Sequence, residues 1–190
     1  MNTLRQFAMG RTAIPASTAW YLAELGEFRG KQELYTRQSP QRLKALRDHA
    51  LIESAVSSNR IEGVSVEPSR VRDLLVSPRP LFRDRDEEEV RGYRDALTWI
   101  HQDAQRIPVS NEIIQRLHAM TRGQIWDAGL YKEKDDDIIE RYPDGREQVR
   151  FRTVLAKETP AAMAQLIGDW QACLEERWVP PLIALAAFNL

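Results

Sequence analysis

The 190-residue chain has one cysteine, Cys173. A single thiol excludes an internal disulfide framework and any metal site built on several cysteines. The surrounding helical pattern, WQACLEERW, makes Cys173 a small packed hydrophobe rather than a nucleophile. No apolar run reaches the ~18 residues that a membrane span requires, and the first residues, MNTLRQFAMGRTAIP, lack the apolar stretch of a secretory signal. A reducing cytoplasm is therefore the expected compartment, with no membrane partner. Charge of one sign is also missing. The 27 Lys and Arg face 28 Asp and Glu, for a net −1, which gives no electrostatic case for nucleic acid. Glycine is too sparse to form a phosphate cradle: Gly26 and Gly30, or Gly123 and Gly129, lack a strand–turn–helix setting.

What is present is a hydrophobic fraction of 43%, which suits one globular domain with or without a short appended segment. A chain of this size hides roughly 70% of its unfolded surface. The periodicity is mostly helical. Tyr21, Leu22, Leu25 and Phe28 recur at helical spacing between Ala19 and Leu34. Ser39-Pro40 opens a helix with the stripe Leu43, Leu46, Ala50, Ile52, Val56, which runs to Ile61 and stops at Gly63. Glu67-Pro68 starts a shorter helix. The acidic run from Asp84 opens another, with Val90, Tyr93, Leu97 and Ile100 on its buried face. Ser110 caps a helix that buries Ile113, Ile114, Leu117 and Met120. The period then changes to strand, turn, strand, with Pro143-Asp144-Gly145 at the turn and Arg150 and Arg152 on the polar side of a half-buried ribbon. Thr159-Pro160 and Pro180-Pro181 start the last two helices. The final one ends at Leu190 with no stop signal, which reads as a chain cut inside an element or, alternatively, as a C-terminal helix docked in the core.

Two clusters of polar residues carry no chemistry by themselves. Asp135-Asp136-Asp137 is read as a solvated turn, because no second set of oxygen ligands is spaced nearby, and no metal is assigned. His49, His101 and His118 lie in helical patterns as ordinary helix residues.

The informative stretch is Ser57-Ser58-Asn59-Arg60-Ile61-Glu62-Gly63. Ser58 and Glu62 are one turn apart and share a helix face. Glu62 falls in the last turn, where the helix dipole disfavours a carboxylate by roughly 0.3–1 kcal/mol. A carboxylate there makes sense if a cation meets it, and Arg engages it through two bonds.

Ser58-x-x-x-Glu62-Gly63 resembles the inhibitory motif of Fic proteins, the protein adenylyltransferases, which reads Ser/Thr, three residues, Glu, then Gly or Asn. The flanks are similar too. Glu89-Val-Arg-Gly-Tyr-Arg-Asp-Ala-Leu resembles the family's next helix, and Ile114-Gln-Arg-Leu-His-Ala-Met the helix before its flap. Gly129-Leu-Tyr-Lys132 resembles the Gly-x-Tyr-Arg segment leading into the flap, with Lys where Arg is usual. Pro181 onward resembles the helix that precedes the catalytic loop. The resemblance covers residues 15–190 in order.

The resemblance implies a mainly α fold, a Fic-like helical bundle with one β-hairpin flap, truncated before the catalytic loop. It divides the chain into an arm at 1–17, an N-terminal helical region at 18–80 bearing the inhibitory motif, and the first part of the Fic core at 81–190 with its hairpin at 137–154. It implies transfer of AMP from ATP, with Mg²⁺, to a Ser, Thr or Tyr hydroxyl of a target protein or of the chain itself. In the family, the signature His deprotonates that hydroxyl, which attacks the α-phosphate while pyrophosphate leaves. The signature, His-Pro-Phe-x-Asp/Glu-Gly-Asn-Gly-Arg-x-x-Arg, does not occur here. The chain alone is thus expected to be inactive and supplies no catalytic residue. Glu62 would instead pair with the last Arg of the signature and block the γ-phosphate, Ser58 would support it, and Ile138 and Ile139 of the flap would face nucleotide and target. The alternative is a short non-catalytic regulatory protein, antitoxin-like, that places Glu62 against a separate Fic partner. The sequence is compatible with a homodimer.

Overall fold

The structure, a computed structural model, describes residues 3–36, 39–123 and 127–189. Eight α-helices, one short 3-10 helix (Ala156–Glu158) and one hairpin lie among these residues: α1 (Thr3–Ala8), α2 (Ala16–Thr36), α3 (Pro40–Ile61), α4 (Pro68–Val76), α5 (Arg85–Asp103), α6 (Asn111–Arg122), β1 (Asp137–Arg141), β2 (Glu147–Arg152), α7 (Thr159–Glu175) and α8 (Pro181–Phe188). The fold is mainly helical with one antiparallel two-stranded sheet, as expected. Leu190, the expected cut point, lies outside the described residues.

Local chemistry sets the helix ends. Asp84 accepts a hydrogen bond from the Glu87 N–H at 2.9 Å, and Ser110 accepts one from Ile113 N–H at 3.3 Å, so two orphan amides are satisfied by side chains. Ser39 occupies the N-cap of α3 in extended conformation without a side-chain bond, and the proline after it supplies the start.

The apolar residues gather in two clusters. One joins Ala55 of α3, Leu74 and Leu75 of α4 and Val90 of α5, flanked by Ile52, Val56, Val71 and Tyr93. The other joins Leu4 of α1, Cys173 of α7, and Ala184 and Ala187 of α8. Residues 3–8, expected in an arm, thus form a helix whose Leu4 is fully buried. Arg5 fastens that helix through its Nε–H, which is shared between the two carboxylate oxygens of the buried Asp169 of α7 at 2.9 and 3.1 Å. Cys173 is packed as expected, and burial pushes its thiol pKa up.

α5 packs against α3, α4 and α6. Gly92 permits its approach to α6: a Cβ there would lie 1.9 Å from the Met120 carbonyl oxygen. Arg70 of α4 forks onto Glu87 of α5 with two 2.9 Å bonds and also donates to Leu81 O.

The apolar stripes differ in what covers them, and the hairpin departs from expectation. The α2 stripe is helical but not buried: Tyr21, Leu25 and Phe28 are exposed, and α2 shares no substantial packing surface with another described element. Of the α3 stripe, Leu43, Leu46 and Ala50 face solvent, and only Ile52 and Val56 are half-buried, beside the buried Ala55. The hairpin is not half-buried. Every β2 residue is exposed, and a bulge breaks the simple alternation: Ile138 pairs with Phe151 and Ile139 with Val149, which skips Arg150.

Candidate functional site

The end of α3 is built by a glycine. Glu62 is the C-cap, with φ −83° and ψ 6°. Gly63 follows at φ +84°, a left-handed conformation that costs an ordinary L-residue about 1 kcal/mol or more. The chain then turns back on the helix. Gly63 N–H donates to Arg60 O at 3.1 Å, and Val64 N–H donates to Asn59 O at 3.0 Å. These are the two bonds of a Schellman closure, and Val64 completes it by packing against the α3–α4–α5 cluster. Only glycine, or an asparagine that tolerates the left-handed region, suits the position after Glu62. The Gly at the end of the Ser58–Glu62–Gly63 spacing therefore has a structural cause.

That closure fixes where Glu62 stands. Its carboxylate is exposed and makes no ion pair among the described residues. Ser58 is half-buried one turn earlier, and no hydrogen bond joins the two side chains. Asn59 is committed elsewhere, donating to Ala55 O at 2.8 Å. The loop after Gly63 is tied to α5, because Ser65 N–H donates to the Asp86 carboxylate at 3.1 Å.

Glu62 lines an open cleft of about 490 Å³ with Asn59, Arg85, Glu89, Thr121 and Arg122. Glu89 lies between two cations: Arg85 at 2.7 Å and Arg122 at 3.6 Å. The cleft, which Asp86 also lines, therefore brings the end of α3, α5 and the end of α6 together around Glu62, whose carboxylate has no ion-pair partner among the described residues. Arg85, Glu89 and Arg122 were not singled out from the sequence. Arg85 and Glu89 are one turn apart on α5, a spacing the sequence does show, but Arg122 of α6 joins them only through tertiary packing.

The hairpin is a second feature, and its base is braced by charge. Lys132 Nζ donates to Asp136 Oδ1 and to Thr153 Oγ1, both at 2.6 Å. Asp137 accepts from Thr153 N–H at 3.2 Å, and Asp135 accepts from Ala156 N–H at 2.6 Å. All three aspartates of the 135–137 run are thus engaged in holding the return strand. The Lys132 ammonium holds the Asp136 carboxyl below the usual carboxylate range. Above this base Ile138, Ile139, Val149 and Phe151 stand exposed. A hairpin of two strands leaves a row of backbone groups free along each outer edge. Arg150, the bulged residue, turns to Glu140 at 3.3 Å.

Beside the entry to the hairpin, His118 accepts a hydrogen bond from Gly129 N–H on Nδ1 at 3.0 Å. Gly129 has φ +78°, and a Cβ there would sit 3.1 Å from Gln115 O and Ala119 Cβ. The Gly129-Leu-Tyr-Lys132 segment is therefore laid closely on α6 before the chain rises into β1. His118 has a structural task there, in keeping with its sequence reading.

The fold is that of Fic-domain proteins. A Fic domain containing signaling protein from Bacteroides thetaiotaomicron VPI-5482 superposes with a TM-score of 0.70 at 22% identity, covering 86% of this chain and 61% of that one. A Fic family protein from Desulfovibrio desulfuricans G20 superposes with a TM-score of 0.65, also at 22% identity, covering 93% of this chain and 50% of that one. The chain thus spans between half and about three-fifths of the length of these structures. No family model and no curated protein sequence matches it.

Proposed function

We propose that these residues are the regulatory and target-docking part of a Fic-type protein that transfers AMP from ATP to a hydroxyl side chain of a protein, with Glu62 as the inhibitory residue. The carrying observation is an exposed, unpaired Glu62 carboxylate fixed by a Schellman turn at the rim of a cleft, within the fold of Fic-domain proteins. At the negative end of a helix dipole, that carboxylate gains most from an incoming cation. Arg85 and Arg122 are already held by Glu89. Glu62 is therefore free to engage an arginine brought by another segment.

ATP with Mg²⁺ would supply the AMP group, with pyrophosphate as the leaving group. No phosphate cradle and no His-Pro-Phe signature occurs among these 190 residues, so no chemical step is assigned to them. Their part is positional. A carboxylate that captures an arginine through two bonds withdraws it from any phosphate it would otherwise hold. Ser58, one turn below, keeps that helix face polar. The braced hairpin offers Ile138 and Ile139 beside a free strand edge, a surface that can align an extended target segment by backbone pairing.

The test has two parts. The 190-residue chain incubated with labelled ATP is expected to transfer no AMP to itself or to added protein, and clear turnover would contradict the reading. The source DNA read past codon 190 is expected to continue into a His-Pro-Phe and Gly-Asn-Gly-Arg stretch. A stop codon there would exclude catalysis in this chain.

A further inference from the structure

Among the described residues, α2 carries a broad apolar surface that no other element covers. Trp20, Tyr21, Phe28, Leu34 and Tyr35 are 63–74% exposed, and Leu25 is 49% exposed. We infer that α2 is a self-association helix, and that two copies of the chain pair antiparallel across the line Tyr21, Phe28, Tyr35. This goes beyond the adenylyltransferase reading and does not rest on it.

The three residues are spaced by seven, so they form one line along the helix that drifts by only ~20° per heptad, the pattern that pairs helices with a slight left-handed crossing. Their exposures are nearly equal, at 66%, 63% and 65%. The line is also symmetric about its middle. A two-fold axis at Phe28 sets Tyr21 of one copy against Tyr35 of the other, and Phe28 against itself, which is the self-complementarity that a two-fold interface requires.

Charge selects the antiparallel arrangement. Glu24 and Lys31 flank Phe28 on the Trp20 side of the line, one turn before it and one turn after it. Antiparallel pairing brings each Glu24 beside the Lys31 of the second copy. Parallel pairing would put the two Glu24 on opposite flanks of the seam, where neither meets a Lys31. Lys31 already leans over the Phe28 ring at 5.9 Å and pairs with Glu27, so its stem covers the centre of the patch.

Aromatic side chains bury ~150–250 Å² each, so the exposed parts of Tyr21, Phe28 and Tyr35 amount to on the order of 400 Å² per copy. Trp20, Leu25 and the stems of Glu24 and Lys31 flank the line and extend it toward the ~800 Å² per partner of a standard interface, whereas Leu34 lies on another face of the helix.

Sedimentation velocity on the 190-residue chain, from micromolar to hundred-micromolar concentration, is the test. The expected result is a monomer–dimer equilibrium that Phe28→Glu weakens at least 100-fold, with helix content by circular dichroism unchanged. A second measurement fixes the register. Phe28→Cys is expected to form a disulfide-linked dimer under mild oxidation, while Gly30→Cys, on the opposite face of α2, is not. The buried Cys173 of the parent chain serves as the background control. A monomer throughout, which would mean that another segment or protein covers α2, overturns the inference. So does a dimer indifferent to Phe28→Glu, a failure of Phe28→Cys to crosslink, or equal crosslinking through Gly30→Cys.

Discussion

α5 and α2 are helices of similar length, 19 and 21 residues, in opposite circumstances. α5 is held on several sides: Glu87 is locked to Arg70, Val90 lies in the apolar cluster, Gly92 lets α6 close in, and Arg91 donates to the Leu74 and Ser77 carbonyls at 2.8 and 2.7 Å. α2 is held by its own backbone ladder and by surface pairs such as Glu27–Lys31. The stability of a helix in a protein comes mainly from the face it buries. The two helices should therefore answer very differently to substitution, and their contrast separates residues that hold the fold from residues that wait for a partner.

The largest effect is expected at Glu87. It is buried, and its Arg70 partner is half-buried. Glu87→Gln should cost about 3 kcal/mol, because it breaks that ion pair from its buried side, and should lower the melting temperature by about 6–12 °C. The hydrogen-bonded Arg70 guanidinium holds the Glu87 carboxyl down to about 2, against an ordinary value of 4.5. A lowered folded-state pKa stabilises the native chain above the ordinary value, and that contribution fades as pH falls from about 4.5 toward about 2. The substitution should accordingly flatten the acid limb of a stability–pH curve in that window. An unchanged limb would mean that the pair is not formed.

A smaller loss is expected where α5 meets α6. Gly92→Ala forces a methyl group against the Met120 carbonyl, so the helices must separate, at a cost of about 2 kcal/mol in a urea titration. At the end of α3, Gly63→Ala should cost about 1 kcal/mol, and Gly63→Asn clearly less, because asparagine tolerates the left-handed region. Equal losses for the two would contradict the Schellman closure. The smallest effect belongs to α2. Leu25→Ala in dilute protein should change stability by no more than about 0.5 kcal/mol, as for other exposed sites. A loss approaching that of Glu87→Gln would erase the contrast and place α2 in the core.

The helix ends were the most legible features. Asp84, Ser110, Pro40 and Gly63 each act on backbone groups within a few residues, so their signals are local. The Ser58–Glu62–Gly63 spacing was legible for the same reason. Partners were not. Leu4 meets Cys173 and Ala184, Arg5 meets Asp169, and Arg70 meets Glu87 across intervals that leave no periodic trace. The stripes of α2 and of early α3 show why spacing names a face without naming what covers it. Ridge alternation likewise failed in the hairpin, where one bulged residue, Arg150, shifts every side chain beyond it. The rim of the cleft, Arg85, Glu89 and Arg122, was invisible because it is assembled from two helices.

We propose that the unpaired Glu62 carboxylate restrains catalysis in a longer Fic-type protein that contains these residues. The most direct measurement is the initial rate of auto-adenylylation of that protein with labelled ATP, with Glu62 and with Glu62→Gly side by side. Withdrawal of the carboxylate should raise the rate at least tenfold, a release of about 1.4 kcal/mol, while the melting temperature stays within a few degrees. Equal rates in two folded proteins would show that Glu62 is only an exposed helix end.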